Sequence, residues 1–449
     1  MRIVVAALAL ILAPAPAVAH DPPNAVHAAV AGLGDMRLAR GADIDRDGCR
    51  HYARPSWIAV SGFDGDGRVD WALYVVSGRP RDRVLDQGQS ADASDAPNVP
   101  LHRDRRLTGR GGTLDRDVMS SARLAVTVMP LENRRELILS LATSAERHGY
   151  DGFFMPETWS WDIPVLLAEI AARTHRITIG TGILGIWGRS PAAIAMTAAT
   201  LAAASGGRFT LGLGTSTPQI GEGLHDVPFE KPIGRMRRTV TQVRALLAGE
   251  RVPLAVATNA RPLRLNVPPL PPVPIYLAAL GDDSTRLAGE LSDGWVPFVY
   301  PVSRLDTGVS LLREGARRGG HPDRVPAVYP SIPTVVAPDA ATARKGAAWV
   351  ASFYLTTMGA IYRDALTRFG FGKEVDAVIA ANTPKHAGIV PPESEILLEE
   401  LIVYGTPDDA RRRLARWYAA GAAMPILLFP PHMTPEQMSL HLEAFRPLT

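Results

Sequence analysis

At 449 residues the chain is long enough for two domains or for one large barrel with additions. Its 46% hydrophobic content is that of an ordinary globular protein, and the net charge of +3 arises from 48 basic and 45 acidic residues that are interspersed, which argues against a dedicated nucleic-acid face. A single cysteine, Cys49, excludes an internal disulfide framework and a thiolate metal cluster, and no 20-residue apolar span follows the first few residues.

The chain opens with Met1-Arg2, an apolar run from Ile3 to Ala13 and then Ala17-Val18-Ala19, the three parts of a secretory signal over residues 1–19. Residues 20–80 hold two acidic loops, "DIDRDG" and "FDGDGRVDWALYV". In the second, Asp64, Asp66 and Asp70 are spaced like oxygen ligands for a hard cation such as calcium, and equally like a solvated acidic turn before a strand. Residues 81–118 are rich in Arg, Asp, Gly, Ser and Pro without apolar periodicity, the composition of a disordered linker. Met119, followed by small residues and a strand, reads as the start of an independent chain. Residues 119–449 are therefore expected to be a complete domain, cytoplasmic if translation begins there and exported if the leader is genuine.

From Arg123 short apolar runs alternate with longer amphipathic ones, the pattern of parallel β/α units. Strands are expected at 123–129, 152–157, 176–184, 208–214, 274–280, 294–299, 327–337 and 425–431, the number that closes a barrel. Ser190-Pro191 and Thr406-Pro407 read as an N-cap followed by proline at the first helical position; Gly206-Gly207 and Gly421 read as helix stops. The fold class is α/β, a (β/α)8 barrel, with residues 338–424 carrying a helical insertion too long for one crossover and positioned to form a lid.

In the fourth strand, "RFTLGLGTSTPQIGEG" carries Gly212 and Gly214 but lacks the third glycine and the helix of a dinucleotide fingerprint. Chemistry in such a barrel sits at the C-terminal strand ends. These are Glu157-Thr158, Thr181-Gly182-Ile183, Gly214-Thr215-Ser216 and Leu280-Gly281, a rim of glycines and hydroxyls with Trp159, Trp161 and Trp187 nearby. Such a rim suits a flat ring with an anionic tail. No two histidines have helical or strand spacing, so no catalytic metal is expected.

The segments "ERHGYDGFFMPETWSWD", "RITIGTGILGIWGRSPAAIAMTAATLAAASGGRFTLGLGTS", "PIYLAALGDDSTRLAGELSDGW" and "YGTPDDARRRLARWYAAGA" resemble the bacterial luciferase-like monooxygenase superfamily, in its branch that uses the deazaflavin coenzyme F-420. The resemblance runs from about 122 to 430 and implies a TIM barrel whose third strand ends in a bulge with a non-proline cis peptide against the coenzyme ring, here at Gly182-Ile183. It implies a phosphate site after the fifth strand at Ala279, Leu280 and Gly281, near a helix expected around Ser284, with Asp282 and Asp283 pointing outward as its caps. Arg189 is expected to help with the acidic tail. Thr158, Thr181, Gly214, Thr215 and Ser216 complete the expected pocket. Ser190 stands where many relatives have histidine, and Ser216 where others have an acid.

The implied activity is hydride transfer between coenzyme F-420 and a small to medium organic substrate, with Glu157, Glu222 and His225 as candidates for proton exchange. Each has a plain alternative, a strand-end carboxylate for Glu157 and loop surface for the other two. An FMN-dependent monooxygenase on the same scaffold and a non-catalytic exported calcium- or ligand-binding protein stay open, and a homodimer is one open assembly state.

Overall fold

The computed structural model describes residues 122–446, together with backbone strands at 37–38, 57–63 and 70–76. The chain divides into two units, Met1–Arg105 and Arg106–Thr449. In the first, β1 (Arg37–Leu38) lies parallel to β2 (Trp57–Phe63), and β2 is antiparallel to β3 (Asp70–Val76), with Phe63 opposite Asp70. The second acidic loop therefore joins the strands of a hairpin. Asp64 and Asp66 lie outside the described residues, as do the signal-like segment and the expected linker at 81–118.

In the second unit the parallel strands are β4 (Ala125–Val128), β5 (Gly152–Met155), β6 (Thr178–Thr181), β7 (Leu184–Gly185), β8 (Phe209–Gly214), β9 (Ile275–Leu277), β10 (Gly294–Trp295), β11 (Ala327–Val328), β12 (Ser331–Val336), β13 (Val403–Gly405) and β14 (Ile426–Phe429). Every residue of β4, β5, β8 and β14 is buried, Thr127 and Thr210 included, because each strand is covered on both faces. Hydrogen-bonded order runs β11-β10-β9-β8-β6-β5-β4-β14-β12. β11 and β12 are two halves of one stave, separated by Tyr329-Pro330. Its N–H groups at Tyr329 and Ser331 donate to the carbonyls of Trp295 and Pro297 (2.8 and 2.9 Å), and its Pro330 carbonyl accepts from Ile426 N–H (2.8 Å). One stave thus touches both neighbours, and the eight staves close into a barrel.

Two layers of core follow. Ala125, Phe154, Tyr276, Val296, Tyr329, Met424 and Ile426, from six staves, form a separate buried cluster that fills the lower interior. The larger cluster lies between staves and helices, where α1 (Arg135–Arg147), α2 (Ile163–Arg173) and α3 (Pro191–Ala204) press Ile138, Leu167, Ile170 and Ile194 against Val126, Phe153, Ile179 and Phe209. The helix starts follow the expected chemistry. Ser190 Oγ accepts from Ala193 N–H (3.1 Å) ahead of Pro191.

A one-turn helix α4 (Pro218–Gly221) and then α5 (Pro232–Leu247) follow β8; α6 (Asp282–Leu291) and α7 (Leu305–Arg318) follow β9 and β10. The insertion is helical as expected, with α8 (Ala340–Thr357), α9 (Ala360–Leu366), α10 (Gly372–Ala381) and α11 (Glu395–Leu401), but it also adds β13 beside β12 before the crossover helix α12 (Pro407–Ala419). Thr406 caps α12 as its sequence requires. The insertion has its own buried cluster, in which Tyr354, Leu355, Leu366 and Leu398 pack with Met129, Val299, Val335 and Leu428. Those four belong to or follow the staves β4, β10, β12 and β14, so the insertion lies over their C-terminal ends. Helix α13 (Pro435–Ala444) completes the second unit. Among the described residues no helix is long and apolar enough to cross a membrane.

Candidate active site

The pocket begins with one extra residue. Gly180 is opposite Thr210, yet Leu184 is opposite Leu213, so four steps on one strand face three on the other. That is a β-bulge at 181–183, and within it the Gly182-Ile183 peptide is cis. Where the ladder is interrupted, Thr181 Oγ1 donates to the Gly212 carbonyl (2.7 Å) and accepts from Gly212 N–H (2.8 Å). A side chain at Gly212 would overlap the Thr181 carbonyl oxygen, and one at Gly214 would come within 2.6 Å of Ile183 Cδ1. The G-x-G pattern of the fourth strand is therefore the seat of the third strand's bulge.

The bulge is held from the second strand as well. Gly182 N–H donates to Met155 O (2.7 Å) and Glu157 N–H to Ile183 O (2.8 Å). Glu157 Oε2 accepts from Gly185 N–H at 2.7 Å, while its other oxygen pairs with Arg189. Arg189 also reaches Asp162 (2.6 Å). Burial disfavours the Arg189 charge, but Glu157 and Asp162 outweigh it and hold the guanidinium above its ordinary pKa. Both Glu157 and Arg189 are thus committed to partners within the barrel. Thr158 lines a small, open cleft between the loops after β4 and β5, together with Met129, Pro130, Glu132, Pro156 and Trp161.

After β8, Ser216 takes a left-handed conformation (φ 54°), and the Thr215 carbonyl accepts from Trp187 Nε1–H at 2.6 Å. Arg235 lies 4.5 Å over the Trp187 ring and donates to the carbonyls of Ile186 and Trp187. Glu222 is exposed and accepts from Phe229 N–H (3.0 Å). His225 packs against Gly188, and its Nε2 is buried without a hydrogen-bond partner. The three candidates for proton exchange share no hydrogen bond: Glu157 follows β5 and braces the bulge through Ile183 and Gly185, whereas Glu222 and His225 lie in the segment after β8.

Helix α6 starts two residues earlier than expected. Gly281 is its N-cap, Ser284 Oγ accepts from Gly281 N–H (3.1 Å), and Asp282 and Asp283 lie in the first turn. The aspartates are exposed rather than acting as caps, because serine three residues on satisfies the cap amide and first-turn carboxylates favour the positive end of a helix. The Ala279 carbonyl accepts from Trp295 Nε1–H (3.0 Å), and Leu280 and Gly281 are half-buried.

Four residues at the mouth escaped the sequence reading. Glu132 is buried and accepts from Arg134 and from His432 N–H (3.0 Å), stitching the loop after β4 to that after β14. Burial raises its pKa, but these hydrogen bonds prevail and keep the carboxyl below the usual range. Thr127 shares the inward face with Ala125, one layer nearer the mouth, and its buried Oγ1 has no partner. Tyr354 in the insertion has an orphaned buried hydroxyl too. Arg235 is the fourth. Only the sequence pattern "MPLENR", a carboxylate just after a strand end, offered a signal for Glu132; the other three owe their places to folding.

On the staves of β4, β6, β8 and β9 the inward residues nearest the mouth are small, Thr127, Gly182, Gly212 and Ala278, above a layer that holds Phe154, Tyr276, Tyr329 and Met424. Small side chains at the C-terminal face, a backbone bulge on its edge and an uncommitted Thr127 hydroxyl fit a flat heterocycle held by main-chain contacts. Among the described residues no group of three potential metal ligands comes together.

The comparisons with known proteins agree with this geometry. The luciferase-like monooxygenase family model matches residues 116–424. A Mycobacterium tuberculosis protein described as a coenzyme F-420-dependent oxidoreductase is 32% identical over 333 residues, covering 66% of this chain and 91% of its own. An F-420-dependent glucose-6-phosphate dehydrogenase of Nakamurella multipartita is 33% identical over 204 residues, covering 41% of this chain and 58% of its own. The fold is similar to that of the coenzyme F-420-dependent tetrahydromethanopterin reductase of Methanopyrus kandleri, at a TM-score of 0.57 and 17% identity, covering 72% of this chain and 98% of that one. With the bulge, the cis peptide and the eight staves in place, the chain belongs to the luciferase-like monooxygenase family.

Proposed function

We propose that the chain is a coenzyme F-420-dependent oxidoreductase that moves a hydride between that coenzyme and a small to medium organic substrate. The observation that carries this reading is the bulge at 181–183 seated on Gly212 and Gly214, with small residues on the inward face beside it. The names of the sequence relatives support the choice of coenzyme. When bound, the deazaflavin supplies a carbon that accepts or donates hydride in two-electron steps.

The chain's own residues do the rest. The backbone of Gly182 and Ile183 sets the plane of the ring, and Glu157 acts by fixing that backbone through Gly185 rather than by carrying a proton. The first turn of α6, from Gly281, presents amide donors and the positive end of the helix dipole to a phosphate. Of the three candidates for proton exchange, His225 is the one whose ring nitrogen is left without a partner. The walls of the mouth hold the substrate carbon at near-attack distance and keep water out.

Fluorescence titration of the purified chain with F-420 and, separately, with FMN tests the reading. Saturable binding of F-420 at micromolar or lower concentration, with FMN at least tenfold weaker, is the expected result; tighter binding of FMN would transfer the assignment to a flavin monooxygenase.

A further inference from the structure

The insertion brings a second constellation to the mouth, opposite the bulge. Phe298 follows the inward-facing Val296 beyond the end of β10, and its backbone pairs with Ser331 of the next stave. Tyr354, near the end of α8, and Tyr362, in α9, pack edge-on against it with ring centroids 4.8 and 5.6 Å away; the two tyrosines are 5.6 Å from each other. Tyr354 also shares a buried cluster with Met129, Val299 and Leu428 at the stave ends. Phe298 and Tyr362 are only half-buried. Between α8 and α9, Gly359 (φ 83°) abuts the Gln219 side chain: a Cβ there would lie 2.9 Å from Gln219 Nε2. Gln219 belongs to α4, in the segment after β8, so the tip of the insertion reaches from the end of β12 across to the segment that follows β8.

One polar atom in this apolar wall is unexplained. The Tyr354 hydroxyl is buried and has no hydrogen-bond partner, in a residue only 2% exposed. Core tyrosines ordinarily find a partner for the hydroxyl, and where packing alone is needed phenylalanine fills the same volume without the cost.

We propose that Phe298, Tyr354 and Tyr362 form the substrate wall of the site and that the Tyr354 hydroxyl is its specificity-determining group, selecting uncharged, flat, apolar molecules that carry one hydrogen-bond-accepting oxygen. Edge-on rings offer faces and edges to a flat apolar body, and a desolvated neutral donor matches one oxygen far better than it matches a charged or polyhydroxylated group. Burial keeps the Tyr354 hydroxyl well above its ordinary pKa, so it stays protonated and able to donate. The inference deepens the reading of the mouth as an F-420 site and rests on it for the direction from which substrate approaches.

The test uses the full chain loaded with F-420 and four probes followed by calorimetric titration: acetophenone, ethylbenzene of the same shape without the oxygen, benzoate and glucose 6-phosphate. Acetophenone should bind about fivefold more tightly than ethylbenzene, the scale of one neutral hydrogen bond, and more tightly than either anion. Tyr354→Phe should bring acetophenone to within about twofold of ethylbenzene, leave F-420 affinity unchanged and hold or raise the melting temperature, since it deletes an orphaned group. Tyr362→Leu should weaken both neutral probes together. A melting temperature lowered by several degrees in Tyr354→Phe, an undiminished preference for acetophenone in that variant, or tighter binding of benzoate or glucose 6-phosphate would each overturn the proposal. If F-420 binds and the preference is missing, this inference alone falls. If F-420 does not bind but Tyr354→Phe still abolishes the preference in the unloaded chain, the coenzyme assignment falls and the substrate wall stands.

Discussion

A methyl group at Gly212 would overlap the Thr181 carbonyl oxygen, whereas one at Gly234, in the first turn of α5, meets nothing within 4 Å. The two glycines should therefore respond to the same change with opposite signs. Gly212→Ala must push the bulge away and is expected to cost about 1–3 kcal/mol in urea unfolding, with F-420 affinity falling at least tenfold in the same preparation. Gly234→Ala should stabilise by about 0.5–1 kcal/mol, the difference in helix propensity, and leave affinity alone. Glu132 gives a second contrast. Its carboxylate accepts from Arg134 and from the backbone of His432, and Glu132→Gln keeps the shape while losing the charge on those bonds. A loss of about 2–3 kcal/mol by thermal unfolding is expected. The glycines at 212 and 214 were visible in the sequence as a pattern, but their reason was not. Thr181 lies 31 residues away, and its carbonyl reaches Gly212 only after β6 and β8 have paired.

Among the elements, the join between α13 and β12 carries a pH signature. His441 on α13 is 3% exposed; its Nδ1 bonds the Gln437 carbonyl (2.7 Å) and its Nε2 accepts from Val336 N–H (3.0 Å). Burial lowers its pKa from the ordinary 6.5 to about 4, opposed only by the bond to Gln437. The neutral ring is thus a folded-state requirement. Its contribution is fully present above about pH 6.5 and is lost progressively as pH falls toward 4, by about 3 kcal/mol in total. Urea midpoints measured at pH 7.5 and 4.5 should differ less in His441→Gln than in the parent chain. Capped helices such as α3 and α12 were legible because the signal lies within four residues. The division of the seventh stave into β11 and β12 was not. The sequence over 327–337 is one strand-like stretch, and only the neighbours on each side decide which half bonds to which.

For the whole molecule, the residues that close the barrel, from β4 to α13, all lie in the unit Arg106–Thr449, and the expected start at Met119 falls before β4. A fragment of residues 119–449 is expected to unfold cooperatively and to bind F-420 within about threefold of the full chain; a fragment that aggregates or fails to bind would tie residues 1–118 to the barrel's function. At this scale the sequence by itself determined the eight staves, their order, the place of the insertion and the family, because apolar runs, caps and glycine spacings are short-range facts about which segments need burial on which faces. Only the tertiary structure decided that Glu157 and Arg189 are spent on each other, that Gly212 and Gly214 receive the bulge, and that Tyr354 meets Phe298 at the mouth. Those are pairings across tens of residues, and a side chain's hydrogen-bond partners exist only once the strands that bring them together have closed.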